Sequence, residues 1–222
     1  MAMGIVLVCD MHVEPQFIAV EGVIGVGKTT LARMLAERRK ARLVLEEFED
    51  NPFLPKFYED RKRYGFQTQL AFLASRFRQQ QNMMSQDLFH TMTVSDYIFE
   101  KDRIFARLNL GSDEMALYDS IYSIMTGIAA QADLVVFLQS SVERLMQNID
   151  QRGREYEQHI TPEYLRDLNE AYNHFFYHYQ RSPVVFINVN DVDFVQTPEH
   201  LMYIEEQLFE RPIIDNMHIH LS

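Results

Sequence analysis

Residues 22–29 read Gly-Val-Ile-Gly-Val-Gly-Lys-Thr, which is an uninterrupted G-x-x-x-x-G-K-T phosphate-binding loop. The loop comes directly after the apolar run 17–20 and directly before a helical pattern that starts near Leu31. Consecutive backbone N–H groups in such a loop form an anion site, and the following helix adds its positive N-terminal end. The stretch therefore predicts a strand–loop–helix unit that holds the phosphates of a nucleoside triphosphate.

The side chains of this loop supply the rest of a triphosphate site. Lys28 is expected to reach the β and γ phosphates, and the hydroxyl of Thr29 is expected to bind Mg²⁺. The alternative is a glycine-rich turn in which Lys28 is only solvated. On the first interpretation, the phosphates are bound by Gly22, Gly25, Gly27, Lys28, Thr29 and Thr30.

Length and composition fit one domain of the α/β class. The chain has 222 residues, of which 47% are hydrophobic, and this is enough to bury a sizeable core. We expect a single domain over 1–222, with its core at about 17–209 and short extensions at both ends. The formal net charge of −11 argues against sequence-independent binding to nucleic acid, because such binding needs basic surfaces.

The single cysteine, Cys9, and the N-terminal segment bear on localisation. One cysteine cannot form an intrachain disulfide, which favours a reducing compartment and hence the cytoplasm. The apolar run 5–9 has no basic flank and is far too short to span a bilayer. We therefore expect neither a signal peptide nor a membrane anchor.

Apolar, β-branched runs of strand length alternate with helical patterns along the chain. Near-continuous apolar strands separated by helices are typical of a parallel sheet covered on both faces. The sequence therefore predicts an α/β fold of three layers around a doubly wound, five-stranded parallel sheet. The predicted strands lie at 17–20, 43–45, 91–94, 134–138 and 184–189.

Two amphipathic helices and the C-terminal tail complete this prediction. Apolar residues at helical spacing predict helices at 112–130 and 163–180, which pack in the core or, for the first, at a subunit interface. The tail after Phe209 has no clear period. His218 and His220 form a pair that can bind metal, but we expect them to be unstructured or packed.

Carboxylates follow two of the predicted strands, at the sheet edge where open α/β proteins bind ligands. Glu46 and Glu47 follow the second strand, and a carboxylate there can accept the proton of a substrate hydroxyl during phosphoryl transfer. Asp96 follows the third strand and can hold Mg²⁺ directly or through water. The alternatives are a solvated acidic loop at 46–50 and a helix cap at Asp96.

The segment 66–76 is rich in aromatic residues and has a helical period. Gln69, Phe72 and Arg76 share one face of that helix, and an amide, a ring and a guanidinium suit recognition of a planar base. The alternative is an ordinary amphipathic helix with Arg76 in a salt bridge.

Two arginines, Arg152 and Arg154, bracket Gly153 in an otherwise acidic protein. Arginine side chains can spread their N–H groups over a transferring phosphoryl group, and a mobile lid at about 148–160 can deliver them while it excludes water. The alternative is an exposed charged loop.

Together these residues resemble the deoxynucleoside kinase family, and its bacterial deoxyadenosine/deoxyguanosine kinase branch in particular. The resemblance spans roughly 17–195 and implies a P-loop kinase fold with strand order 2-3-1-4-5. It also implies phosphorylation of a deoxynucleoside 5′-hydroxyl in nucleotide salvage, with ATP as donor, Mg²⁺ as cofactor and a homodimeric assembly. The distinctive pieces are 46–54, 57–59, 69–76, Asp96 with 102–106, and 152–154.

The resemblance assigns roles to individual residues. Glu46 is implied as the base that accepts the 5′-hydroxyl proton, with Glu47 the less favoured candidate. Residues 188–194 resemble the loop under the ATP adenine, where backbone groups make the contacts. The other implied roles are Tyr58 and Glu157 on the sugar 3′-hydroxyl, Gln69 on the base, Arg76 with Asp102 lining the base pocket, Arg152 and Arg154 on the phosphates, and Asp96 on Mg²⁺.

Two departures from the family pattern concern charge. The family often has Asp/Glu-Arg-Ser after the third strand, whereas Tyr97 follows Asp96 here, so a phosphate-contacting arginine is missing and Arg103 is a candidate replacement. Asn148 stands where many members have another arginine. Neutralisation of the negative charge at the transition state is therefore expected to depend more heavily on Lys28, Arg152 and Arg154.

Three functions are compared on this basis. A purine deoxynucleoside kinase is favoured, because Arg76 with Asp102 can offer a donor and an acceptor to a purine edge, although related pockets with this pair accept deoxycytidine. A nucleoside monophosphate kinase of the thymidylate kinase type needs basic residues at the acceptor, and the run 46–50 has the opposite charge. The third alternative is a non-catalytic, ATP-dependent regulatory module.

Overall fold

A parallel sheet with helices on both faces organises the chain, and the computed structural model describes residues 14–83, 90–127, 129–210 and 213–220. The sheet has six strands in the order β2-β3-β1-β4-β5-β6. The strands are β1 (Phe17–Gly22), β2 (Arg42–Val44), β3 (Thr93–Ser95), β4 (Leu134–Gln139), β5 (Val184–Asn188) and β6 (Met217–Ile219).

Eight α-helices connect and cover these strands in the described part of the chain. Short 3₁₀ helices lie at Phe99–Lys101 and Glu155–His159. The α-helices are α1 (Lys28–Arg39), α2 (Leu54–Glu59), α3 (Arg61–Met83), α4 (Asp102–Asn109), α5 (Ser112–Thr126), α6 (Val142–Arg152), α7 (Pro162–Tyr177) and α8 (Pro198–Phe209). None of the helices in these ranges is long and apolar enough to cross a membrane.

The predicted fold class and the strand order 2-3-1-4-5 are confirmed, but the sheet has one more strand than predicted. The added strand, β6, lies in the tail and pairs in parallel with β5, with Val185 opposite Met217 and Ile187 opposite Ile219. His218 packs against the ring of Phe186 at 4.6 Å. The strand has only three residues, which are too few to show a local sequence pattern. These residues form a strand because they pair with β5.

The predicted long helices are shorter than their apolar patterns. The helix predicted at 112–130 ends at Thr126, and the one predicted at 163–180 ends at Tyr177. The second pattern runs on because Tyr179, beyond the helix, is still buried against the core. The spacing of apolar residues indicates which side chains are buried, and side chains can remain buried beyond the last hydrogen bond of a helix.

The core surrounds the three central strands, which are mostly apolar because helices cover both faces. Phe137 on β4 is fully buried and stacks on Phe176 of α7, with ring centroids 4.5 Å apart. The central strand β1 pairs with β3 on one side and with β4 on the other. The chain thus reverses its winding direction at β1, and such a switch point opens a crevice at the carboxyl ends of the strands.

Candidate active site

The crevice at the carboxyl ends of β1, β2 and β3 is a cavity of about 890 Å³. It lies between the phosphate-binding loop, α3, α6 and the segment after β5. Gly22 and Asp102 lie outside its lining, the first at the base of the loop and the second behind Arg76. The predicted site residues that line it are Gly25, Gly27, Lys28, Thr29, Thr30, Glu46, Tyr58, Gln69, Arg76, Asp96, Arg152, Arg154 and Glu157.

The phosphate-binding loop depends on glycine because it packs closely against neighbouring backbone. Gly22 has φ +147°, and a Cβ there would lie 2.6 Å from the carbonyl oxygen of Leu138. Gly25 has φ +87°, and its Cβ would lie 2.9 Å from the carbonyl oxygen of Leu145. Since L-residues rarely adopt these conformations, the two glycines set the course of the loop.

The Lys28 ammonium lies inside this loop and donates to the carbonyl oxygen of Val23 at 3.1 Å. Burial, together with the positive charge of Lys101, lowers the pKa of Lys28 to about 8. Asn148 of α6 donates its side-chain N–H to the Gly25 carbonyl at 2.8 Å. Asn148 therefore stabilises the loop through a hydrogen bond and adds no charge there.

Asp96 joins the phosphate-binding loop to the end of β2. Its Oδ2 accepts a hydrogen bond from the Thr29 hydroxyl at 2.5 Å, and its Oδ1 accepts one from the Glu46 backbone N–H at 2.8 Å. The 3₁₀ helix that follows is capped at Ile98, so Asp96 does not act as its cap. A hydroxyl and a carboxylate side by side are hard oxygen donors and fit Mg²⁺.

Two cations hold the carboxylate of Glu46, whereas the neighbouring Glu47 is exposed. Arg76 donates to Oε1, with its Nε at 2.9 Å, and Lys101 Nζ donates to Oε2 at 2.6 Å. Burial alone would raise the pKa of Glu46, but Arg76 and Lys101 outweigh it and lower the pKa to about 2. Glu46 is therefore an ionised group, with its charge neutralised inside the cavity.

The helix face predicted to recognise a base lies on the cavity wall. Arg76 is 3% exposed and bridges the carboxylates of Glu46 and Asp102, so the salt bridge posed as an alternative is also present. The Phe72 ring lies below its guanidinium, 4.8 Å from ring centroid to Cζ. Gln69 is 1% exposed, and its Oε1 has no hydrogen-bond partner among the described residues. An unpaired buried amide oxygen at a cavity is suited to a ligand donor.

The predicted lid residues Arg152 and Arg154 form ion pairs with Glu157 of the same segment. Arg152 Nη2 lies 2.7 Å from both carboxylate oxygens of Glu157, and Arg154 Nη1 lies 3.4 Å from Oε1. Tyr58 stacks on Tyr156 of the same segment, with ring centroids 6.2 Å apart. Burial raises the pKa of Tyr58 well above its usual value, so its hydroxyl stays a neutral hydrogen-bond donor.

Arg103, the candidate replacement for the missing arginine, lies outside the cavity lining. It pairs with Asp119 at 3.1 Å, and its guanidinium lies over the Tyr122 ring. Lys101, two residues earlier, lines the cavity, although nothing in the sequence pattern indicated it. The short 3₁₀ helix that orients Lys101 has no periodicity from which the sequence could indicate it.

Glu21 is a second residue at this site that was not predicted from the sequence. It lies on β1, is fully buried, and accepts hydrogen bonds from the backbone N–H groups of Ile98 at 2.8 Å and Gly22 at 3.1 Å. Burial raises the pKa of its carboxyl, although Lys101 and Lys28 oppose this shift. The available signal was an acidic residue directly after an apolar strand run, which indicates a buried polar contact.

Several known proteins with related sequences are named as deoxynucleoside kinases. A sequence model of one family, described as deoxynucleoside kinase, matches residues 18–212. The deoxyguanosine kinase of Bacillus subtilis is 36% identical over 163 residues, covering 73% of this chain and 78% of that protein. The deoxyadenosine kinase of Dictyostelium discoideum is 35% identical over 193 residues, covering 85% and 77%. The deoxyadenosine/deoxycytidine kinase of Bacillus subtilis is 30% identical over 198 residues, covering 86% and 90%.

Solved structures of deoxyadenosine kinase from M. mycoides share the fold. The structure with bound dCTP has a TM-score of 0.73 at 24% identity and covers 88% of this chain and 100% of that chain. The structure with the products dCMP and a flexible dCDP has a TM-score of 0.74 at 23% identity, with the same coverage. The family match runs from β1, through the strand ends and the lid, to the end of α8. The chain therefore belongs to the deoxynucleoside kinase family.

Proposed function

We propose that the protein transfers the γ-phosphoryl group of ATP to the 5′-hydroxyl of a purine deoxynucleoside, either deoxyadenosine or deoxyguanosine. Membership of its family makes it a deoxynucleoside kinase, and the proposal adds the donor, the preferred base and the residues. One observation carries it: a phosphate-binding loop, an ionised carboxylate at Glu46 and the Gln69–Arg76 helix face line one cavity. The purine preference is supported by relatives named deoxyguanosine kinase and deoxyadenosine kinase.

The acceptor half of the site lies along α3 and the lid. Gln69 hydrogen-bonds the base, and Arg76, held by Asp102, lines the same pocket with a fixed guanidinium. Tyr58 and Glu157 hold the sugar 3′-hydroxyl. The 5′-hydroxyl then lies at Glu46, which accepts its proton.

The donor half lies at the phosphate-binding loop. The backbone N–H groups of Gly25 and of residues 27–30, with the Lys28 side chain, hold the triphosphate, and Arg152 with Arg154 cover it from the lid. Thr29 and Asp96 would hold Mg²⁺, which neutralises charge on the β and γ oxygens when it is bound. In the transfer, the bond from the 5′-oxygen to the γ-phosphorus forms, the bond from that phosphorus to the bridging oxygen breaks, and ADP leaves.

Two further properties belong to the proposal. The protein is a homodimer, supported by Leu117 and Ile124 of α5, which are 52% and 78% exposed on one helix face. It acts in the cytoplasm, supported by its cysteine usage. A nucleoside monophosphate acceptor is disfavoured, because its phosphate would meet the acidic residues 46–50.

A panel of eight nucleosides, each with ATP and Mg²⁺, tests the proposed function. Deoxyadenosine or deoxyguanosine should give the highest kcat/KM, with a 5′-monophosphate as product. Much faster phosphorylation of pyrimidine deoxynucleosides would refute the purine assignment. The corresponding monophosphates serve as alternative acceptors, and preference for them would indicate a nucleoside monophosphate kinase.

A further inference from the structure

We propose that Lys101 is a catalytic residue whose ammonium group pairs with Glu46 before the reaction and binds the transferring phosphoryl group during it. This inference rests on the proposed function and deepens it. It concerns a residue that lies at the reacting centre because of the tertiary structure.

Lys101 is a buried lysine that nevertheless reaches the cavity. The residue is 2% exposed, and its side chain lines the cavity. It ends the 3₁₀ helix Phe99–Lys101, which Glu21 fixes through the backbone N–H of Ile98. The same Glu21 carboxylate also accepts the backbone N–H of Gly22, so one buried group holds both the phosphate-binding loop and the segment that carries Lys101.

Lys101 and Arg76 differ in the number of carboxylates that they bind, and this difference decides which of them can move during phosphoryl transfer. Arg76 is bound to two carboxylates, Glu46 and Asp102, and is therefore anchored from both sides. Lys101 has one ion-pair partner in the described ranges, Glu46, at 2.6 Å. When a 5′-hydroxyl occupies Glu46, Arg76 keeps its second anchor, and Lys101 is the cation that is released.

The released cation is close to where negative charge develops. Lys101 and Lys28 both line this cavity, where their like charges repel each other. A transferring phosphoryl group spreads its charge over three equatorial oxygens. Placed between a lysine on the donor side and a lysine on the acceptor side, that group relieves the repulsion and is neutralised from both directions.

Movement of Lys101 also assists the proton transfer. As the new bond to the 5′-oxygen forms, the hydroxyl proton passes to Glu46, and the electron pair of the broken bond leaves with ADP. A carboxylate that has given up one of its two cations accepts a proton more readily. Lysine is suited to move from Glu46 to the phosphoryl group, because its ammonium is a point charge with three donors on a flexible side chain. An arginine guanidinium is planar, and its donors have a fixed geometry.

The test compares Lys101→Met with Lys101→Arg, Lys101→Gln and a matched control, Arg103→Met. Arg103 is a cation of the same segment, but it pairs with Asp119 outside the cavity lining. We expect Lys101→Met to lower kcat by about 10²–10³-fold, since loss of one preorganised charge at a transition state has that cost. Lys101→Arg should recover at least about 10-fold of this loss by restoring the charge, and Arg103→Met should behave as wild type.

A transition-state analogue separates direct contact from a role exerted through Glu46. ADP with aluminium fluoride and Mg²⁺ mimics the transferring group, whereas ADP alone does not. Lys101→Met should weaken the fluoride complex by a factor close to its loss in kcat, while the Kd of ADP stays within about threefold of wild type. Lys101→Gln gives the same readout if Lys101→Met folds poorly.

Two results overturn the inference. One is a kcat of Lys101→Met equal to that of Arg103→Met, and the other is a loss in kcat that affinity for the fluoride complex does not follow. If the wild type phosphorylates none of the eight nucleosides, the proposed function fails instead. The fluoride measurement, which needs no turnover of a nucleoside, then still decides whether Lys101 contacts the transferring group.

Discussion

At the scale of single residues, Glu46 and Glu47 show how surroundings decide the state of a carboxylate. Both line the cavity, but the first is held by Arg76 and Lys101, whereas the second is exposed to solvent. They are adjacent in sequence and chemically identical. Any difference between them in function therefore comes from position, and each variant controls for the other.

We expect Glu46→Gln to lower kcat by about 10²-fold or more, because the amide cannot accept the proton of the 5′-hydroxyl. Glu47→Gln should keep kcat within about twofold, because it leaves the carboxylate held by Arg76 and Lys101 unchanged. The measurement is the initial rate of nucleoside-dependent ADP release. Unchanged activity in Glu46→Gln would remove the proposed base and favour a regulatory ATP-binding module.

The lowered pKa of Glu46 also predicts how stability depends on pH. With a folded-state pKa of about 2 and an ordinary value of about 4.3, the unfolded chain binds the proton more tightly. The charge of Glu46 thus stabilises the fold fully above about pH 5, by on the order of 3 kcal/mol, and this stabilisation is lost as the pH falls toward 2.

Urea unfolding from pH 3 to pH 7 measures this effect. The difference in unfolding free energy between wild type and Glu46→Gln should be constant above about pH 5 and shrink below about pH 4. Equal pH dependence of the two proteins would show that Glu46 titrates normally in the folded state.

At the scale of elements, the phosphate-binding loop depends on how closely it packs against α6. A Cβ on Gly25 would lie 2.9 Å from both the Leu145 carbonyl oxygen and Ile149, in a conformation with φ +87°. Asn148 of the same helix holds the Gly25 carbonyl. Helix α6 thus fixes the loop as well as leading into the lid.

Gly25→Ala should therefore destabilise the fold by about 1–3 kcal/mol and raise the KM for ATP. The matched control is Gly127→Ala, where φ is −65° and no atom lies within 4 Å of the added Cβ. Urea unfolding and ATP titrations measure both effects. A Gly25→Ala protein with normal stability and normal ATP affinity would contradict the close packing described for this loop.

At the scale of the whole molecule, α5 presents two different faces. Tyr118 and Tyr122 pack inward on the cluster that contains Phe99 and Leu73. Leu117 and Ile124, seven residues apart, point outward. An apolar outward face on a helix that packs well on its other side is suited to a second copy of the chain.

Ile124→Glu should convert the proposed dimer to a monomer, because it places a charge in the centre of an apolar interface. Ile214→Glu is the control, since Ile214 is equally exposed, at 78%, but lies outside α5. Light scattering after gel filtration gives the mass of each variant. A wild-type monomer, or equal effects of the two substitutions, would refute the dimer through α5.

Much of the architecture could be predicted because its signals are local. Five strands, their parallel arrangement and the triphosphate loop follow from apolar runs and from glycine spacing within a few residues. The positions of Glu46 and Asp96 beside the loop follow from one general rule, that parallel strands end at the same edge of a sheet. The strand β6 could not be predicted, since only its pairing with β5 makes those three residues a strand.

The sequence by itself determined the fold class, the glycine-rich loop after β1 and the helix face that carries Gln69 and Arg76, because spacing along one element places those groups. Only the tertiary structure decided that Lys101, and not Arg103, forms an ion pair with Glu46. It also decided that Glu21 accepts hydrogen bonds from the backbone of both Gly22 and Ile98. The contacts of Lys101 with Glu46 and of Ile98 with Glu21 join residues 55 and 77 positions apart. Their energies depend on burial and on the distance between charges, and both quantities exist only once the strands have assembled.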